Sequence, residues 1–129
     1  VNDPAAITGL VDALVGAINA GDRVACMNLL DATAREFLPA SPPIEDTRII
    51  EQTIERLFSG RRNDLRVEMD DVQATGDQGI CSGTFSLRST DRETGAIVYI
   101  DGKFLAVAVL RVSGWRISHF CYNENVPRP

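Results

Sequence analysis

Apolar residues follow two different periods along the chain, and the change falls near its middle. Ile7, Leu10, Val11, Leu14, Val15 and Ile18 recur at the i, i+3, i+4, i+7 spacing of an amphipathic helix. Ala20-Gly21-Asp22 ends it, because Gly21 suits a helix C-terminal cap and Asp22 can N-cap a second helix. That second helix runs from about Arg23 to Leu30, with Val24, Met27 and Leu30 or their neighbours inward. Residues 31–36 follow as an irregular extension, and Pro39, Pro42 and Pro43 mark a loop. Asp46 or Thr47 can cap a third helix that carries Ile50, Ile54, Leu57 and Phe58 on one face and stops at Gly60.

Beyond Asn63-Asp64 the period becomes two. Leu65, Val67 and Met69 alternate with polar residues, and the pattern resumes out of phase at Val72 and Ala74. Such a slip predicts a β-bulge near Asp70-Asp71. Turns at Gly76-Asp77 and Asp91–Gly95 bound a strand from about Gly79 to Ser89. The next strand, about Ala96 to Val112, is long enough that it must bend, and Gly102 is where bending costs least. Ser113-Gly114 turns the chain into a last strand, Trp115 to Tyr122, and the polar tail from Asn123 to Pro129 is expected to be loose. Helices first and a four-strand meander afterwards form an α+β pattern without βαβ alternation.

Composition narrows the classes. The chain has 129 residues, 44% of them hydrophobic, enough for one domain spanning 1–129 with a core of its own. Thirteen basic against 18 acidic residues give a net charge of -5, which argues against a nucleic-acid partner. Arg61-Arg62 read as helix-end charges. Cys26, Cys81 and Cys121 form no CxxC pair, so they read as small buried apolar residues in a reducing, cytoplasmic compartment, and no metal or other cofactor is expected. No apolar run reaches the ~20 residues of a membrane span, so no membrane partner is expected. No signal peptide stands at the start; Val1 in place of Met fits a trimmed chain or an alternative start codon.

Several stretches resemble the nuclear transport factor 2-like superfamily, in its SnoaL-like and ketosteroid-isomerase-like branch. They are the helix break Asn19-Ala20-Gly21-Asp22, the following Asp31-Ala32-Thr33, the run Ser82–Leu87, and the ending Gly102–Phe120 with its Trp-x-Ile-x-His-Phe. The resemblance covers nearly the whole chain. It implies a cone-shaped, cystatin-like α+β fold, three N-terminal helices on a strongly curved antiparallel sheet, dimeric, with a pocket on the concave side.

By that resemblance the inward sets are Cys81, Gly83, Phe85 and Leu87; Phe104, Ala106, Ala108 and Leu110; and Ser118, Phe120 and Tyr122. The ligand-binding residues expected from them, with Phe58 of the third helix, are Phe58, Cys81, Phe85, Phe104, Ala106, Phe120 and Tyr122, around a small, largely apolar molecule. Plain core packing is the competing reading for the deeper ones. The opposite face carries Leu105, Val107 and Val109, with Trp115, Ile117 and His119 beside them. An apolar outer face needs a cover, and a homodimer partner is the simplest.

The resemblance also aligns Glu36 with the carboxylate base of the ketosteroid isomerases. Partial desolvation there would raise its pKa toward a useful range. Tyr122 is the better placed of two phenols to donate a hydrogen bond; Tyr99 is the other. The isomerases' further donors fall near Ala13 and near Leu105 or Ala106, so their oxyanion apparatus is missing. Arg88 reads as solvated, and Asp101 and Lys103 as cross-strand surface charges. Three functions follow: a SnoaL-like pocket protein for a small apolar ligand; a cofactor-free isomerase, cyclase or dehydratase using Glu36 as base with Tyr122 as donor; or a structural homodimerisation domain.

Overall fold

The computed structural model describes residues 3–126. Helix α1 spans Pro4–Ala20, α2 Arg23–Asn28 and α3 Thr47–Phe58; strands β1 to β5 span Leu30–Phe37, Arg61–Thr75, Gln78–Asp91, Ile97–Arg111 and Gly114–Glu124. Each helix starts where a side chain satisfies an otherwise orphaned backbone N–H. Asp3 accepts from Ala6 N at 3.1 Å, Asp22 from Ala25 N at 3.0 Å and Asp46 from Arg48 N at 2.8 Å. Gly21, at φ 66°, closes α1 in the left-handed conformation, which a side chain would disfavour. Helix α2 is shorter than its sequence suggests and buries Cys26, while Val24 faces solvent. A single-sided turn and a half has room for one inward residue, and the register selects the cysteine.

The α+β class holds: helices pack on one side of a five-stranded sheet ordered β1-β5-β4-β3-β2. Strands β2 to β5 form the antiparallel meander, and the bulge at Asp70 is present as a register shift between Met69 and Asp71. Two findings depart from the sequence reading. Residues 31–36, expected to be irregular, lie in β1 (Leu30–Phe37), which pairs in parallel with β5 and so makes the sheet mixed. On its other edge Glu36 exchanges backbone hydrogen bonds with Ile44, both at 2.9 Å.

The second departure is a bulge in β5. Val107 pairs with His119 and Ala108 with Ile117, leaving Ser118 as the extra residue. Its buried hydroxyl donates to Val107 O at 3.2 Å. The phase therefore reverses at Ser118. Trp115 and Ile117 pack on the core side rather than the outer one, and Ser118 drops out of the inward set ahead of Phe120 and Tyr122.

The main core lies under α1, whose Ile7, Leu10 and Val11 meet Ala74, Cys81, Phe104, Ala106, Ala108 and Ile117. Full burial of an Ile or Leu contributes about 1.5–3 kcal/mol, so this layer anchors the concave face beneath the helix. The loose-tail expectation covered 123–129; β5 runs on through Glu124, and residues 127–129 lie outside the described residues, as do Val1 and Asn2. No helix among the described residues is long and apolar enough to cross a membrane.

Candidate functional site: a cavity with one desolvated carboxylate

Where α1 leaves the concave face uncovered, the sheet and the helices enclose a cavity of about 530 Å³. Its apolar wall comes from Leu14 and Ile18 of α1, Ile54 and Leu57 of α3, and Leu87, Ile100, Ile117 and Phe120 of the sheet. Polar groups enter it at a few places: Glu36 from β1, Tyr122 from β5, Thr53 and Arg56 from α3, and Arg61 with Ser89 from β2 and β3. An apolar hollow with a few polar groups is the usual form of a small-molecule site.

Strand β1 places Glu36. It pairs with Phe120 on one edge and bridges to Ile44 on the other, so its backbone is fixed from both sides. Alternation sends its neighbour Arg35 the other way, where it ion-pairs with Glu45 and lies over the Phe37 ring, 5.6 Å from the centroid. Arg35 therefore does not neutralise Glu36. Among the described residues nothing hydrogen-bonds or ion-pairs the Glu36 carboxylate. Burial alone pushes it up to about 7, because a carboxylate removed from water without a partner favours its neutral form.

Tyr122 stands edge-on to Phe85 with ring centroids 5.5 Å apart, and 5.9 Å from Phe120. Phe120 in turn stacks near Phe104 at 6.4 Å. Cys26 also lines the cavity, but burial and the nearby Asp22 charge push its thiol up to about 11, so it is no nucleophile at neutral pH.

The sequence-derived set divides. Glu36, Phe120 and Tyr122 come together on the cavity wall. Cys81, Phe104 and Ala106 do not; α1 covers that stretch of sheet, and they are core residues beneath it. Phe85 packs against the same cluster and reaches the cavity only through Tyr122, and Phe58 at the end of α3 is outside the lining. Leu110 is exposed rather than inward. His119 lies on the outer face with Nδ1 2.9 Å from Ser118 Oγ, and Tyr99, Arg88, Asp101 and Lys103 point outward and are exposed. Ala13, where the isomerases' tyrosine would fall, is also exposed. Among the described residues no cluster of three or more His, Cys, Asp or Glu could hold a metal ion.

Arg61 and Arg62, a pair of helix-end charges by sequence, are separated in the structure. Period-two alternation puts Arg61 on the concave face with the buried Asn63, and Arg62 on the outer face. The signal was in the sequence: Arg61, Asn63 and Leu65 are in phase.

No protein-family model matches the chain, and no curated protein matches it by sequence. Solved structures do. A ketosteroid isomerase-like protein from Erwinia carotovora atroseptica superposes with a TM-score of 0.83 at 18% identity, over 96% of this chain and 97% of that one. A nuclear transport factor 2-like superfamily protein from Salmonella enterica serovar Typhimurium gives 0.82 at 15% identity, covering 95% and 91%. A protein with a cystatin-like fold from Novosphingobium aromaticivorans gives 0.74 at 13%, covering 98% and 84%. Identities this low carry the architecture and not the chemistry. The chain has the cystatin-like α+β fold shared by nuclear transport factor 2-like and ketosteroid isomerase-like proteins.

Proposed function

We propose that the cavity binds a small, largely apolar molecule and that Glu36 exchanges a proton with it, in a cofactor-free isomerase, cyclase or dehydratase type of reaction. One observation carries this reading: among the described residues the only carboxylate on the cavity wall, Glu36, is desolvated, has no hydrogen-bond or ion-pair partner and is held near neutrality. A general base works best when its pKa lies near the working pH. In the simplest step Glu36 removes a proton from a carbon next to a carbonyl and returns it to another carbon, so that atoms balance without an external oxidant or reductant. On the same wall the Tyr122 phenol is the donor this reading assigns to the developing oxygen. A chain that only bound an apolar ligand would gain nothing from a buried acid, which costs stability.

The test is deuterium exchange into β,γ-unsaturated ketones with apolar bodies, incubated with the protein in heavy water. Exchange that Glu36→Gln reduces by about 10²-fold or more supports the base. Equal exchange by both proteins would exclude it.

A second reading, compatible with the first, concerns assembly. Leu105 (46% exposed) and Ile80 (39%) lie with Val107 and Val109 on the outer face of the sheet. Such a patch favours a second copy of the chain packed face to face. A cytoplasmic location, with the three free thiols reduced, belongs to the same proposal.

A further inference from the structure

We infer that the cavity takes an amphiphilic organic acid, its apolar body along Leu87, Ile100 and Phe120 and its single carboxylate seated on Arg61. This rests on the pocket reading above and adds the ligand's charge and orientation. Arg61 is not a loose surface side chain. Its Nε donates to Ser89 Oγ at 2.6 Å and its Nη2 to Ser89 O at 3.2 Å, and Ser89 is only 4% exposed. Those bonds fix the plane of the guanidinium, and among the described residues its remaining N–H groups have no hydrogen-bond acceptor. A planar fork held in this way matches a carboxylate geometrically, which a flexible ammonium does not.

Charge balance points the same way. The chain is acidic, with a net charge of -5. Arg23, Arg35 and Arg111 all pair with carboxylates. Arg61 and Arg56, both on the cavity wall, form no direct ion pair among the described residues, and Arg56 Nη2 reaches only Thr53 Oγ1, at 3.3 Å. The acid beside Arg61 is its cross-strand neighbour Asp91, whose carboxyl is lowered by the backbone N–H groups of Thr94 and Glu93 and, to a lesser degree, by the Arg61 charge. Two cations therefore face a cavity whose one acid among the described residues, Glu36, is only partly ionised at neutral pH because of burial. A neutral apolar ligand would leave the Arg61 donors unsatisfied as it displaced water from them, and an anionic head would satisfy them.

Calorimetric titration of the protein with decanoate and with decanol tests this. Wild type should bind decanoate at least about tenfold more tightly than decanol, as a charge-assisted hydrogen bond implies. That preference should shrink as salt is raised. Arg61→Gln should bring the two affinities together by weakening decanoate far more than decanol, with circular dichroism showing that the variant is folded. Arg61→Lys, keeping charge but losing the fork, should retain part of the preference. Decanol binding as tightly as decanoate, or a preference insensitive to both salt and Arg61, overturns the anion assignment and leaves the pocket standing. If neither compound binds, the pocket reading fails along with it.

Discussion

Asp31 on β1 accepts two parallel hydrogen bonds from Arg111 on β4, Nε to Oδ1 at 2.7 Å and Nη2 to Oδ2 at 3.0 Å. The two strands are not neighbours, since β5 lies between them. The pair therefore clasps the start of β1 across β5, and β1 is the strand that carries Glu36. The Asp31 side chain is 6% exposed and that of Arg111 51%. This asymmetry decides which half matters more. Arg111→Ala leaves a buried carboxylate without its cation and with only its Thr33 hydrogen bonds, whereas in Asp31→Ala the guanidinium can return to water. Arg111→Ala should cost about 1–3 kcal/mol, below the usual figure for breaking a buried pair because one partner is half in solvent. Asp31→Ala should cost less. Urea denaturation of both variants checks the order.

Asp31 and Glu36 should give opposite pH dependence. Hydrogen bonds from Arg111 and then Thr33 hold the Asp31 carboxyl far below the usual carboxylate range, so its stabilisation is present above about pH 4 and is lost as pH falls further. Burial raises Glu36 to about 7, so the folded state binds the proton more tightly than the unfolded chain does. Its effect reverses: wild type loses stability as pH rises from about 4.5 to about 7. Relative to Glu36→Gln, that loss should amount to roughly 1–3 kcal/mol by pH 8, a range set below the full conversion to allow for solvent reaching the group. Thermal melts of the two proteins across this range measure it; parallel curves would contradict the desolvation of Glu36.

Gly102 is required for close approach rather than for an unusual dihedral. A Cβ there would lie 2.2 Å from Asn123 O and 2.6 Å from the Phe85 ring, between β5 and the aromatic cluster that supports Tyr122. Gly102→Ala should destabilise the fold by about 1–3 kcal/mol, the usual cost of overpacking. Chemical denaturation gives the figure, and near-ultraviolet circular dichroism should report the disturbed Phe85–Tyr122 contact.

Local periodicity made much of this fold legible. Helices α1 and α3, the Asp70 bulge and the long β4 each follow from spacing within one segment. What failed was set by distant partners. Asp31–Glu36 has little β-propensity of its own and becomes a strand because β5 and Ile44 pair with it. The Ser118 bulge is invisible in β5 alone, where the alternation reads unbroken, and exists only as a register against β4. Alternation also gives the face but not the depth, so Cys81, Phe104 and Ala106 were indistinguishable from Phe120 until α1 was seen to cover them. Glu36 is legible only through the family resemblance, and Arg61 only through its phase with Asn63 and Leu65.

The outer face makes its own prediction. Leu105 and Val107 sit at the centre of the apolar patch, opposite Cys121 and His119 of β5. Sedimentation at micromolar concentration should report twice the 14.1 kDa mass of one chain. Leu105→Asp should shift it to a monomer by burying an unpaired charge at the contact. A wild-type monomer would leave the patch without the partner proposed for it.

The central claim is that Glu36 is a desolvated acid poised near neutrality inside a ligand cavity. Its most direct test is a pH titration of the Glu36 side-chain carboxyl carbon by NMR, assigned by comparison with Glu36→Gln. The account predicts a midpoint near 7, displaced when a ligand occupies the cavity. A midpoint at the ordinary glutamate value of about 4.3, indifferent to ligand, would contradict it.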